Sequence, residues 1–144
     1  LGIRRVRLTG GEPLVREGIL DLAAALHALP GIDEIHLTTN GVLFAPMADP
    51  LRQAGIHGVN FSLDTLQPDI FRRITRTDQF AAARAGIDKA LDIFHPRNIR
   101  TYIKTLGNDP ETRQILSAEF QNLMEAAKRT RMQPGDAKTL PEGK

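Results

Sequence analysis

Short apolar stretches of strand length alternate with longer stretches of helical period through most of the chain. Ile3 to Leu8 (IRRVRL) predicts a strand. From Arg16 to Leu29 the residues Ile19, Leu22, Ala23, Leu26 and Leu29 recur at helical spacing, and Pro30-Gly31 ends that helix. Glu34 to Thr39 predicts a second strand, ended by Asn40-Gly41. Met47 to Ala54 predicts a second helix, with Gly55 as its stop. His57 to Leu63 predicts a third strand. A short helix is expected over Pro68 to Ile74, and a longer one over Gln79 to Phe94 with Phe80, Ala83, Ile87, Ala90, Leu91 and Phe94 on its apolar side. Ile99 to Leu106 predicts a fourth strand. Asp109, Pro110 and Glu111 then give helix-start signals for a helix to about Arg129, with Leu116, Phe120, Leu123, Met124 and Ala127 as its buried face.

Alternating strands and helices with short loops imply an α/β fold with a parallel sheet and right-handed crossovers. About four βα units would make an open sheet or a partial (β/α) barrel. The expected organisation is a partial barrel over residues 1–107, a C-terminal helix over 108–130 and a disordered tail over 131–144, where Gly, Pro and charge dominate.

Side chains alternate across a strand, so sequence parity assigns faces. Arg5, Arg7 and Thr9 share one face of the first strand. His36, Thr38 and Asn40 share one face of the second, and Asn60, Ser62 and Asp64 one face of the third. The opposite faces carry Val6 and Leu8, Ile35 and Leu37, and Val59 and Phe61. Parallel strands covered on both sides read as continuous apolar runs, and these do not. The polar face is either a wet side of a half-open sheet or a ligand-lined surface. The clustering of polar groups toward the strands' carboxyl ends favours a ligand. Arg7 suits an anion or a purine edge, and Thr38, Ser62 and Asn40 suit ribose and amide contacts.

The first strand runs into Leu8-Thr9-Gly10-Gly11-Glu12-Pro13-Leu14. Two adjacent glycines let the backbone bring bare N–H and C=O groups against a ligand. The same turn is also compatible with an ordinary loop between a strand and a helix.

Composition narrows the chemistry. The 144 residues contain no cysteine, so the chain offers no disulfide, thiolate metal site or iron–sulfur ligand set. No apolar run reaches membrane-spanning length and no signal peptide is visible, so no membrane partner and a cytoplasmic location are expected. The net charge of +2 comes from the C-terminal residues from Lys128 onward, so no nucleic-acid partner is expected either. The four histidines are scattered without metal-ligand spacing, and only His36 falls on the polar face. The run Arg72-Arg73-Ile74-Thr75-Arg76 is a solvated helix end or a phosphate contact.

The strings RLTGGEPL, LTTNG, VNFSLDTL and FRRITR, in this order and spacing, resemble the radical S-adenosylmethionine enzymes. More narrowly they resemble the molybdenum-cofactor biosynthesis A family, the GTP 3′,8-cyclases. The likeness runs from about Gly2 to Leu91 and fades after Asp92. It implies an incomplete (β/α) barrel, S-adenosylmethionine as cofactor beside a [4Fe–4S] cluster, and GTP as substrate. By this resemblance Gly10, Gly11, Glu12, Asn40 and Ser62 would meet S-adenosylmethionine, and Arg7, Thr38 and Lys104 would meet GTP. The family's cluster-binding cysteines have no counterpart in this chain, so no catalytic residue and no metal ligand is assigned. Three readings stay open: a fragment or truncated homologue of the cyclase, a nucleotide- or adenosyl-binding module without turnover, and a ligand-free remnant acting through a partner. In the last case the open edges of half a barrel would offer a route to self-association.

Overall fold

The structure is a computed structural model, and it describes residues 2–103 together with Asn122 and Glu125. Strand β1 (Arg5–Leu8) is followed by a 3₁₀ turn (Pro13–Val15) and helix α1 (Ile19–His27). Then come β2 (Glu34–Thr39), α2 (Phe44–Gln53) and β3 (Gly58–Leu63). Helices α3 (Pro68–Thr75) and α4 (Phe80–Ile93) precede a second 3₁₀ turn (Pro96–Asn98) and β4 (Ile99–Ile103). The four strands form one parallel sheet in the order β1-β2-β3-β4. Sequential order in a parallel sheet is the winding of a (β/α) barrel, here as an open segment.

Among the described residues the expected strands and helices are present with corrected ends, and the expected end of the fourth strand, from Lys104 to Leu106, lies outside them. β1 begins at Arg5, because Ile3 has nothing to pack on and stays 60% exposed. The expected helix from Arg16 starts only at Ile19: Gly18 takes the left-handed conformation (φ 74°) as its N-cap and separates the 3₁₀ turn from α1. Leu29, placed on the buried stripe by spacing, lies past the helix end and is 52% exposed. Helix α2 starts at Phe44, three residues before the predicted Met47, with no side-chain cap to announce it. The expected helix from Asp109 and the tail lie outside the described residues, although Asn122 and Glu125 are helical.

Parity holds. Ile35, Leu37, Val59, Phe61 and Leu63 are buried on the face that meets the helices. The core centres on Phe44 of α2, packed edge-on to Phe61 of β3 (centroids 5.3 Å apart) and beside Phe94 at the end of α4 (6.2 Å). Each fully buried side chain of this size contributes roughly 1.5–3 kcal/mol relative to exposure. One contact ties this core to the loop after β2. A Cβ on Gly86 of α4 would stand 2.4 Å from the Gly41 carbonyl oxygen, so the helix backbone lies directly on the Asn40-Gly41 turn.

At the other end of β2 and β3 the sheet is closed by a histidine. The Ile35 N–H donates to His57 Nδ1 (3.1 Å), and the His57 N–H donates to the Ile35 carbonyl (2.8 Å). Burial, then the neighbouring His27 and Arg52, hold the His57 imidazole below its ordinary value of 6.5. An imidazole that accepts at Nδ1 must leave that nitrogen unprotonated. The unfolded chain therefore takes up this proton first as pH falls. The contribution is fully present above about pH 6.5 and is lost as pH drops through the lower folded value. Urea midpoints between pH 8 and 5 should stay level and then fall below about 6.5. In His57→Asn, whose Oδ1 accepts the same N–H without titrating, that decline should disappear. A decline of equal size in His57→Asn would refute the assignment.

Candidate functional site

The turn after β1 and the turn after β2 meet at the carboxyl ends of the strands. Their meeting is organised by Glu12. Its Oε1 accepts from the Thr39 hydroxyl (2.7 Å) and the Leu14 N–H (3.2 Å), and its Oε2 accepts from the Asn40 N–H (2.7 Å). Thr39 Oγ1 in turn accepts from the Gly41 N–H (3.1 Å), and Asn40 Oδ1 from the Val42 N–H (2.9 Å). One carboxylate thus joins two loops that are far apart in sequence. Three of its roughly four acceptor positions are in use, which leaves one on Oε2.

Beside this brace opens a cavity of about 360 Å³. Thr9, Gly10 and Gly11 form one wall, Thr38, Thr39 and Asn40 another, and Ser62 and Asp64 of the β3 end close it. The diglycine wall is bare: nothing lies within 4 Å of where a Cβ would stand on Gly10 or Gly11. Gly10 has φ 155°, where side chains are rarely found, whereas Gly11 has an ordinary backbone. Five of the residues expected to face a ligand, Gly10, Gly11, Thr38, Asn40 and Ser62, come together here. Glu12 is turned to the loops it joins, while Asp64 lines the cavity.

A second cavity of about 340 Å³ lies lower on the same polar face. Arg5 and Arg7 of β1, Arg97 of the second 3₁₀ turn and Arg100 of β4 converge on it, with Glu34, His36 and Asn60 among its other walls. Arg7 therefore sits in a different cavity from Thr38. Buried Asn60 stands between them: it lines the lower cavity, and its Nδ2 lies 3.5 Å from Thr38 Oγ1. Lys104, expected to meet the same ligand as Arg7, lies outside the described residues. Arg97 and Arg100 were not singled out by the sequence reading. Parity along β4 carries the signal for Arg100, which pairs in register with Asn60 on the polar face.

Among the lower cavity's charged groups, Glu34 Oε2 meets both His36 Nε2 (3.1 Å) and Arg5 Nε (3.2 Å). The hydrogen bond from His36 pulls the Glu34 carboxyl below the ordinary carboxylate range; burial opposes this, and the charge of Arg5 adds to the lowering. The run at Arg72 to Arg76 is a solvated helix end. Arg72 pairs with Asp78 (2.9 Å) in the open, and Arg76 ends α3 with φ 57°. Among the described residues no group of three or more His, Asp or Glu side chains could hold a metal ion, and no helix is long and apolar enough to cross a membrane.

The description of the Radical SAM superfamily matches residues 1–118. The chain belongs to the radical SAM superfamily. Within it, the chain is similar to GTP 3′,8-cyclases. It is 49% identical over 112 residues to that of Desulforamulus reducens, covering 77% of this chain and 34% of the relative. It is 43% identical over 118 residues to that of Petrotoga mobilis, covering 81% and 36%. To that of Pseudomonas putida it is 52% identical over 90 residues, covering 62% and 27%. The chain spans about a third of the length of the curated relatives it matches. Radical SAM proteins use S-adenosylmethionine with a [4Fe–4S] cluster, and these 144 residues hold no cysteine. The bare diglycine cavity fits the first of these groups; the side chains present do not fit the second.

Proposed function

We propose that this chain carries the S-adenosylmethionine- and GTP-facing surface of a GTP 3′,8-cyclase of molybdenum cofactor biosynthesis, and does not itself bind the cluster that the reaction needs. The observation that carries this reading is the pair of cavities in line on one polar strand face: a bare diglycine cradle above, and four converging arginines below. In the upper cavity Gly10 and Gly11 present backbone to the methionine part of the cofactor, and Asn40 and Ser62 present polar groups to its ribose side. Thr38 reaches the boundary with the lower cavity. Glu12 fixes the rim and keeps one acceptor position for the cofactor's amino group. In the lower cavity Arg7, joined by Arg5, Arg97 and Arg100, takes the phosphates of GTP as forked donors; Lys104 belongs to the same expectation. Bound S-adenosylmethionine supplies an adenosyl group whose reductive release requires the cluster. What these residues do is hold two nucleoside ligands side by side.

Titration calorimetry with each ligand separately tests this. The wild-type chain should bind both. Gly11→Val leaves the fold intact, because its Cβ enters open space, and should abolish S-adenosylmethionine binding while GTP binding persists. Arg7→Ala should do the reverse, weakening GTP by about tenfold or more, the scale of one lost charge-assisted contact. A folded chain that binds neither ligand, or Gly11→Val binding S-adenosylmethionine as the wild type does, would overturn the reading.

A further inference from the structure

The lower cavity contains one carboxylate among its arginines, and its position is not accidental. The β1–β2 register sets Arg5 opposite Glu34 and Arg7 opposite His36. His36 in turn faces Gly58 across β2 and β3. A Cβ at position 58 would stand 2.7 Å from His36 Nδ1 and 2.6 Å from the Asn98 carbonyl oxygen, so the imidazole lies against bare backbone. From that seat its Nε2 meets Glu34 Oε2, the same oxygen that Arg5 Nε meets. The other three guanidinium groups of the cavity, Arg7, Arg97 and Arg100, have no carboxylate partner among the described residues. The Glu34 side chain is 39% exposed, which leaves it room to rotate toward solvent.

We propose that Glu34 is an internal competitor for the anion site: in the free protein its carboxylate occupies Arg5 and His36, and an incoming polyphosphate must displace it to reach them. This rests on the reading of the lower cavity as the phosphate site. Glu34 then sets how tightly the cavity holds an anion. Its charge opposes the ligand's at short range, and its two contacts must be broken before the ligand gains them. Removing the charge while keeping the side chain's shape should strengthen binding, the opposite of what loss of a contact residue does. A residue that merely held the sheet together could not produce that gain.

The probe is inorganic tripolyphosphate, titrated by calorimetry at low salt into the full chain. Glu34→Gln should bind it about tenfold more tightly than the wild type, the scale of one close charge in a partly exposed site. Glu34→Ala, which removes the charge by truncation, should show the same gain. Asp69→Asn, which changes net charge equally on exposed α3, should leave the affinity unchanged. Melting curves establish that each variant is folded. Wild-type binding that is unchanged or weakened in both Glu34 variants overturns the proposal and leaves the phosphate reading standing, as does an equal gain in Asp69→Asn. No binding by the wild type or by either Glu34 variant overturns the phosphate reading and the proposal together. Binding that appears only in the Glu34 variants supports both.

Discussion

Replacing Gly86 with alanine should destabilise the protein by about 2 kcal/mol, with a fall in Tm on the order of 8 °C. In an exposed helix the same change would stabilise by roughly 1 kcal/mol, since alanine is the better helix former. Here the new methyl carbon would stand 2.4 Å from the Gly41 carbonyl oxygen and 3.3 Å from Phe44 Cβ. Neither neighbour is the loose end of a long side chain, so one backbone segment must move away from the other. Gly41 has little freedom to yield: it has φ 86°, and its own Cβ position stands 3.0 Å from the Phe61 ring. The movement passes to Asn40, whose N–H is bound by Glu12. The upper cavity should open as the core loosens, so ligand binding and stability fall together. Thermal melts read the first effect and S-adenosylmethionine titration the second. A Gly86→Ala protein as stable as the wild type would mean that α4 does not press on this turn.

Glu12→Ala should cost about 2–3 kcal/mol in urea denaturation, because three donors lose one carboxylate. The Thr39 hydroxyl is the most costly of them, since Thr39 is only 2% exposed and water cannot easily replace the lost partner. Glu12→Gln keeps the shape and one acceptor oxygen but turns an NH₂ group toward a donor. It should lose roughly half as much. This separates two roles that the sequence leaves merged. If Glu12 only touched a ligand, its removal would abolish binding and leave the midpoint unmoved. If it braces the loops, stability drops even without ligand, and a variant within about 0.5 kcal/mol of wild type would refute the brace.

Strand faces were legible because period-two alternation survives in each strand. Ile35, Leu37, Val59 and Phe61 went to the core, and Arg7, Thr38 and Ser62 to the other side, as parity requires. Helix ends were less legible, because they depend on single backbone angles. Gly18 in a left-handed conformation delays α1, and nothing in the spacing of Ile19 and Leu22 reveals it. Phe44 starts α2 without a capping side chain, so the eye falls on Met47 instead. In the site, the motif residues Gly10, Gly11, Thr38, Asn40 and Ser62 come to one cavity, which Glu12 does not line. The motifs could not show that Arg7 and Thr38 face different cavities, since that depends on how far apart along the strands they lie and on Asn60 between them. Arg97 and Arg100 lie beyond Asp92, past the motifs that carry the resemblance; the likeness does not fade there as expected, since the Radical SAM match runs to residue 118. The β3–β4 register brings Arg100 back to the polar face, and the 3₁₀ turn before β4 brings Arg97 to the same cavity.

β1 pairs only with β2, so among the described residues its outer backbone groups form a sheet edge. Such an edge invites another extended chain to add to it, and proteins discourage this with charge. Arg5 and Arg7 stand on that strand, next to Arg4. An approaching strand would have to stack against a row of guanidinium groups, and a second copy of this chain would bring the same row. The arginines of the proposed anion site thus also guard the protein against aggregation. Neutralising them to weaken ligand binding would remove that guard at the same time.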